Sequence, residues 1–198
     1  PSIIRELGED AAALLIEVRA ATVDGINERI SAVHAAMAGI ATVEPMQFST
    51  DPATCDMYWK VRKGTFPSVG AMRRTGTTVI IEDVAFPITS LADAVLDLQA
   101  LLRHHGYHEA IIFGHALEGN VHFVFTQDFG DPAEVERYAR FMDDIADLVV
   151  KKYDGSLKAE HGTGRNMAPF VEMEWGKEAA DLMRHIKKLF DPKNLLNP

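Results

Sequence analysis

The chain has one cysteine, Cys55. It therefore has no internal disulfide, and one cysteine cannot alone ligate an iron–sulfur cluster, so a reducing cytoplasm is the expected setting. Without a Cys-x-x-Cys partner, Cys55 is expected to pack, with mild reactivity left open beside the short helix expected around it. Positive charge is also scarce: 20 Lys and Arg face 29 Asp and Glu, for a formal net charge of -9. That balance disfavours counterion-release binding to phosphate backbones, so nucleic acid is not an expected partner. No apolar run reaches the roughly 20 residues of a membrane-spanning helix, and no basic flank leads into a signal-like segment. Repeats, low-complexity tracts and Gly/Ser-rich linkers are absent too, which leaves no reason to divide the chain. It opens at Pro1-Ser2 without a methionine and stops at Asn197-Pro198 directly after an amphipathic segment, so both ends are expected to be cuts in a longer chain.

With 198 residues, 47% of them hydrophobic, the chain can bury one substantial core, and one compact, soluble domain over 1–198 is expected. Ala11 to Val18 is a short apolar run suited to a buried strand. Val23 to Met37 places Ile26, Ile30, Val33 and Met37 at helical spacing. Asp51 to Lys60 reads as a short helix capped by Asp51 or Thr50, with Pro52 first, Met57, Tyr58 and Trp59 turned toward a core, and Arg62 at its exit. Thr77 to Val84 is rich in β-branched residues and reads as a strand. Ser90 or Thr89 then caps a helix in which Leu91, Val95, Leu98 and Leu102 repeat, with His104, His105 and His108 near its C-terminus. Ala110 to His115 and Val121 to Thr126 are apolar runs joined by a Gly119-Asn120 turn, which predicts a β-hairpin. A long helix follows from about Pro132 to Lys152, then an irregular stretch from Gly155-Ser156 through Pro169, then a helix near Lys177 to Phe190 that ends before Asp191-Pro192. Strands interrupted by helices, with a hairpin among them, predict an α+β fold: an antiparallel sheet with helices mainly on one face, ferredoxin-like in arrangement.

The chemistry concentrates in Gly114-His115-Ala-Leu-Glu-Gly119-Asn120-Val-His122, where two imidazoles flank a tight turn and would meet at the open end of the hairpin. Two neutral ring nitrogens make half a site for zinc or another first-row divalent ion. The candidate third ligand is Glu160, in Lys158-Ala-Glu160-His161-Gly162-Thr-Gly164-Arg165, where glycines permit close backbone approach and His161 supplies a group that titrates near neutrality. A lone histidine on a strand is more often hydrogen-bonded structure than a ligand; two around a turn, with a Glu-His-Gly-x-Gly loop downstream, point to a shared site. Other signals are weaker. Gly162-x-Gly164 lacks the third glycine and the preceding strand of a dinucleotide fingerprint. His104 and His105 suit a helix end through its dipole. Asp143, Asp144 and Asp147, with Arg137 and Arg140 nearby, read as a solvated helical face.

These residues resemble a known family. The His115-to-His122 motif, the Glu160-His161-Gly162-Thr-Gly164 motif and Phe190-Asp191-Pro192-Lys-Asn194-Leu-Leu-Asn197-Pro198 resemble, in order, the motifs of the C-terminal domain of FAD-linked oxidases. That family, related to vanillyl-alcohol oxidase, includes D-lactate dehydrogenases, the glycolate oxidase flavoprotein subunit and D-2-hydroxyglutarate dehydrogenase. The resemblance runs from about Ala11 to the end, and Trp59-Lys-Val-Arg62-Lys-Gly adds a fourth match. It implies that His115, His122 and Glu160 bind a divalent metal, zinc or manganese, and that His161 is the base near the substrate hydroxyl. Arg62 would hold the substrate carboxylate and Asn197 would face the flavin. FAD would be bound mainly by a domain before residue 1, so the chain alone is expected to be inactive. The implied reaction is hydride transfer from C2 of a small 2-hydroxy acid to flavin. Members acting on a second, distal carboxylate carry a lysine in the strand after the arginine; here Val79-Ile-Ile-Glu-Asp83 has none, which favours a D-lactate-like monocarboxylate. Some members also have a polar residue two positions beyond the second histidine, where this chain has Val124. An iron–sulfur domain or another electron acceptor, and peripheral membrane attachment of the full-length enzyme, are compatible with the family. Two other readings stay open at the level of sequence. One is a metal-dependent hydrolase using the same two histidines and glutamate; the other is a non-catalytic α+β assembly module with structural histidines.

Overall fold

A computed structural model describes residues 11–198 of the chain. Contacts divide the chain into two compact units, one ending at Thr65 and one running from Phe66 to Pro198.

In the first unit, α1 (Val23–Ala36) starts at Thr22, whose hydroxyl accepts from the Gly25 amide at 3.1 Å. The predicted stripe of Ile26, Ile30, Val33 and Met37 is its half-buried side. The helix α2 (Pro52–Met72) begins as the sequence predicts, with Asp51 accepting from the Thr54 amide at 2.9 Å and Pro52 in the first turn. It then runs well past Lys60 and through Pro67, crossing the division between the units. Arg62 therefore lies inside the helix rather than at its exit, because the stop signals Gly64 and Pro67 are overridden, as intrinsic propensity often is. Met57, Tyr58 and Trp59 are 51%, 40% and 40% exposed, not turned into a core. The expected strand at Ala11 to Val18 is also absent: the segment has no regular structure and is mostly exposed. Among the described residues the only sheet lies in the second unit, so this run has no ladder to join and the aromatic residues of α2 have no sheet beside them in their own unit.

The second unit is built on three antiparallel strands in the order β1-β3-β2: β1 (Thr78–Ala85), β2 (Ile111–His115) and β3 (Asn120–Gln127). Helix α3 (Leu91–His104) connects β1 to β2, and α4 (Pro132–Ala146) follows β3, prolonged by a wider π-helical turn, Asp147–Lys152. Asp131 caps α4 by accepting from Ala133 at 2.9 Å. After α4 the chain returns to the free edge of β1, where Ala85 and Ser156 exchange two backbone hydrogen bonds of 2.9 Å. This single antiparallel bridge stands where a ferredoxin-like sheet has its fourth strand. The fold is α+β, as the alternation of strand and helix patterns predicts.

Strand alternation gives the sheet two different faces. On one, the opposed pairs Ile80/Phe125 and Val84/Val121, together with Phe123, pack against Ala94, Leu98 and Leu102 of α3 and Phe141, Met142 and Ile145 of α4. Burying each large side chain contributes about 1.5–3 kcal/mol. Glu82 sits on this same face at 1% exposure, its charge met by Lys158 Nζ and Asn166 Nδ2, each at 2.5 Å. On the other face lie Ile81/Val124 and Asp83/His122, with Phe113 across from His122 on β2.

Beyond the bridge, a short helix α5 (Gly164–Met167) leads to α6 (Val171–Phe190), which is kinked at Gly176 (φ 77°, ψ 164°); the piece after the kink is the predicted terminal helix. Asp191 then receives the Leu195 and Leu196 amides, both at 2.8 Å, and folds the last turn back. Among the described residues, no helix is long and apolar enough to cross a membrane.

Candidate metal centre

The β2–β3 hairpin places the two motif histidines. His115 is paired with Asn120, so His122, two residues further along β3, is its diagonal neighbour on the same face. Their rings are 5.6 Å apart, nearly perpendicular. The corner turns through Ala116–Glu118 into Gly119 at φ 64°. A Cβ there would sit 2.0 Å from the Phe86 carbonyl oxygen, so the turn needs glycine for both its conformation and its space.

The third group arrives from the loop that crosses the edge of β1. Glu160 Oε1 lies 3.0 Å from His122 Nε2 and 3.4 Å from His115 Nε2. Ligand atoms held tetrahedrally at about 2.0–2.1 Å from one ion stand roughly 3.3–3.4 Å apart, so this spacing and donor set fit a divalent cation. His122 is 5% exposed, whereas His115 and Glu160 are 53% and 48% exposed, which leaves one side of the cluster open to a small ligand.

The His161 ring stacks on that of His122 at 4.8 Å, with 8° between the planes, and its Nε2 is 3.9 Å from Glu160 Oε1. It adjoins the three candidate ligands without duplicating them. A second grouping of Asp83, His122 and His161 is equally compact. One oxygen of Asp83, however, already accepts the amides of Ala159, Glu160 and His161 at 3.1, 2.7 and 2.9 Å, which makes Asp83 a support for the loop.

Electrostatics suit the same arrangement. Burial pushes the Asp83 carboxyl up, but the Glu160 and His161 amides and the neighbouring imidazoles outweigh it and hold the group below the ordinary carboxylate range. Burial pushes His122 below the ordinary imidazole value, against the pull of Asp83. At neutral pH the centre thus presents an ionised Asp83 and a neutral His122. His122 Nδ1 and Asp83 Oδ1 lie 3.4 Å apart, both buried and neither with a hydrogen-bond partner.

Asp83 is the residue that the sequence reading missed. Its signal was an acid pair, Glu82-Asp83, inside a run of β-branched residues, where an unpaired carboxylate is costly. Of the other expected site residues, Arg62 belongs to the first unit, in α2. Asn197 is exposed at the C-terminal turn with φ 45°. Val124 is fully buried on the His122 face. His105 contacts Asp144 of α4 at 2.6 Å, which ties the end of α3 down more firmly than the dipole alone. Cys55 is a free thiol pointing at the Ser49 carbonyl, 3.4 Å away.

Several known proteins are similar to this chain. The chain is 33% identical over 131 residues to the protein named Glycolate oxidase subunit GlcD of Bacillus subtilis, which covers 66% of this chain and 27% of that protein. It is 30% identical over 151 residues to a Probable D-lactate dehydrogenase, mitochondrial, of Danio rerio, with 76% of this chain and 30% of that one covered. It is 30% identical over 179 residues to the D-2-hydroxyglutarate dehydrogenase of Escherichia coli, covering 87% and 17% respectively. The chain thus spans less than a third of the length of each of these relatives. The model of the family described as FAD linked oxidases, C-terminal domain, matches residues 4–198. This match across nearly the whole chain establishes that the protein belongs to the FAD-linked oxidase C-terminal domain family.

Proposed function

We propose that this chain is the substrate-side domain of an FAD-dependent 2-hydroxy acid dehydrogenase, in which His115, His122 and Glu160 hold a divalent cation, zinc or manganese, beside a small 2-hydroxy acid. The observation that carries the reading is a single carboxylate oxygen within 3.4 Å of two imidazole nitrogens, at the open side of a buried histidine. When bound, the cation supplies polarisation of the C2 hydroxyl and the flavin supplies an acceptor for the hydride from C2. The chain's own groups do the rest. His161 Nε2 receives the hydroxyl proton, since its ring lies against His122 and its backbone is fixed by Asp83. Arg62 grips the substrate carboxylate through a two-pronged guanidinium contact and so sets the direction of the C–H bond. Asn197, at the end of the turn folded by Asp191, faces the flavin.

The substrate is D-lactate-like. The sheet face that carries His122 also carries the half-buried Ile81 opposite the buried Val124, and β1 supplies no lysine to neutralise a second carboxylate. FAD is held mainly by a domain outside this chain, and the electrons leave through a further acceptor. Alone, the chain binds metal but does not turn over.

The test separates ligands from base. In the complete enzyme, Glu160→Gln should lower zinc or manganese affinity sharply and turnover with it. His161→Ala should leave metal affinity within a few-fold while removing most turnover. Metal affinity lost with His161→Ala and kept with Glu160→Gln would reverse the two roles.

A further inference from the structure

The two adjacent acids of β1, Glu82 and Asp83, reach the loop that carries Glu160 and His161 from opposite faces of one edge strand. Glu82 ties Lys158 and Asn166 at the two ends of the loop. Asp83 takes three consecutive amides at its centre with one oxygen and turns the other toward His122 Nδ1. We propose that Asp83 is a positioning residue for the centre: it fixes the loop that delivers Glu160, and it holds the His122 proton on Nδ1 so that Nε2 keeps a free electron pair. The consequence for metal rests on the metal centre proposed above.

The reasoning is one of donors and acceptors. Three N–H groups converge on Asp83 Oδ2, so only an acceptor can stand there. The second oxygen is buried and also an acceptor, so the ring nitrogen facing it at 3.4 Å carries the proton. Nε2 also faces an acceptor, Glu160 Oε1 at 3.0 Å, but that carboxylate is 48% exposed and can be satisfied by solvent, whereas Asp83 Oδ1 is buried with no other partner. The single proton of the neutral ring therefore belongs on Nδ1, and Nε2 is left as a ligand. Nothing else on the ring needs to change.

Asp83→Asn tests this sharply because the three amides dictate how the new side chain must lie. Its carbonyl oxygen has to occupy the Oδ2 position, since an NH2 group there would confront three donors. The NH2 group is thereby forced toward His122 Nδ1, which must become an acceptor. The proton moves to Nε2, where it opposes metal binding. The loop remains anchored by Glu82, so the substitution leaves its ends in place.

Two readouts on the metal-free chain decide the matter. Nitrogen-15 histidine NMR should find His122 as the Nδ1–H tautomer in the unaltered chain and as the Nε2–H tautomer in Asp83→Asn; an unchanged tautomer overturns the proposal. Amide hydrogen exchange in the unaltered chain should find Ala159, Glu160 and His161 strongly protected, and exchange at the rate of open loops overturns the clamp even if the variant does not fold. Zinc titration then reads the consequence, with a loss of roughly 10–100-fold expected in Asp83→Asn. Equal zinc affinity in the two proteins overturns the proposal. A tautomer switch in a chain that binds no zinc at all would uphold the positioning role of Asp83 and refute the metal centre.

Discussion

Gly119→Ala perturbs the corner that holds His115 and His122 in register, and the structure sets its cost. The residue stands at φ 64°, and its new Cβ would lie 2.0 Å from the Phe86 carbonyl oxygen, a backbone atom at the end of β1 that cannot rotate away. The same glycine accepts the Phe86 amide at 2.9 Å, so any retreat of Phe86 also strains that bond. A left-handed alanine costs about 1–2 kcal/mol. Forcing an extra methyl into packed surroundings costs about 1–3 kcal/mol. Together they remove roughly 2–5 kcal/mol from a total stability of about 5–15 kcal/mol. For a domain of this size that is a fall in Tm of roughly 4–20 °C. Calorimetric melting in chelator removes metal linkage from the comparison. Zinc affinity, measured separately on the folded variant, should fall as well, because the hairpin corner sets the approach of the two imidazoles. A Tm within about 1 °C of the unaltered chain, with unchanged zinc affinity, would refute this account of the hairpin.

Phe125→Ala removes a ring that is 1% exposed and packed among Tyr107 and Phe141, and should cost about 3–5 kcal/mol in urea unfolding; a loss below about 1 kcal/mol would place the core elsewhere. Asp191, held down to about 2 by Lys187 and the Leu195 and Leu196 amides, stabilises the C-terminal turn above its ordinary value near 3.8 and loses that contribution as the pH falls toward 2. Asp191→Asn should therefore destabilise at neutral pH and converge with the unaltered chain in acid; a pH-independent difference would contradict the assignment. Burial pushes Tyr107 and Tyr138 up to about 12, so ultraviolet titration should find at least these two of the four tyrosines ionising only in strong alkali. In the complete enzyme, Arg62→Lys should lower kcat/KM by roughly 10–150-fold, the equivalent of about 1.5–3 kcal/mol for a charged hydrogen bond. An unchanged kcat/KM would remove Arg62 from the substrate site.

What could be read in advance depended on how local its cause was. The hairpin was legible because Gly119-Asn120 stands between two apolar runs, although the corner itself is Ala116–Gly119 and Asn120 already opens β3 opposite His115. The start of α4 near Pro132 and the apolar repeat of α3 are equally local signals, and both helices form where expected, although Ser90 makes no side-chain capping bond. The role of Asp83 was not legible, because it depends on the register of β1 against β3 and on a loop more than seventy residues away that brings three amides to one oxygen. Ala11 to Val18 failed for the converse reason: its composition suits a strand, but no partner strand pairs with it among the described residues. Helix α2 outruns its expected end at Lys60, continuing through Gly64 and Pro67, whose low helix propensity is overridden by context.

The central claim is that His115, His122 and Glu160 form one metal site, and calorimetric titration of the chain with zinc and with manganese tests it most directly. Saturable binding of one ion per chain is expected, weakening as the pH falls and protons compete for the imidazoles. His115→Ala, His122→Ala and Glu160→Gln should each weaken it sharply. Absence of saturable binding at neutral pH, or binding that survives all three substitutions, would contradict the account.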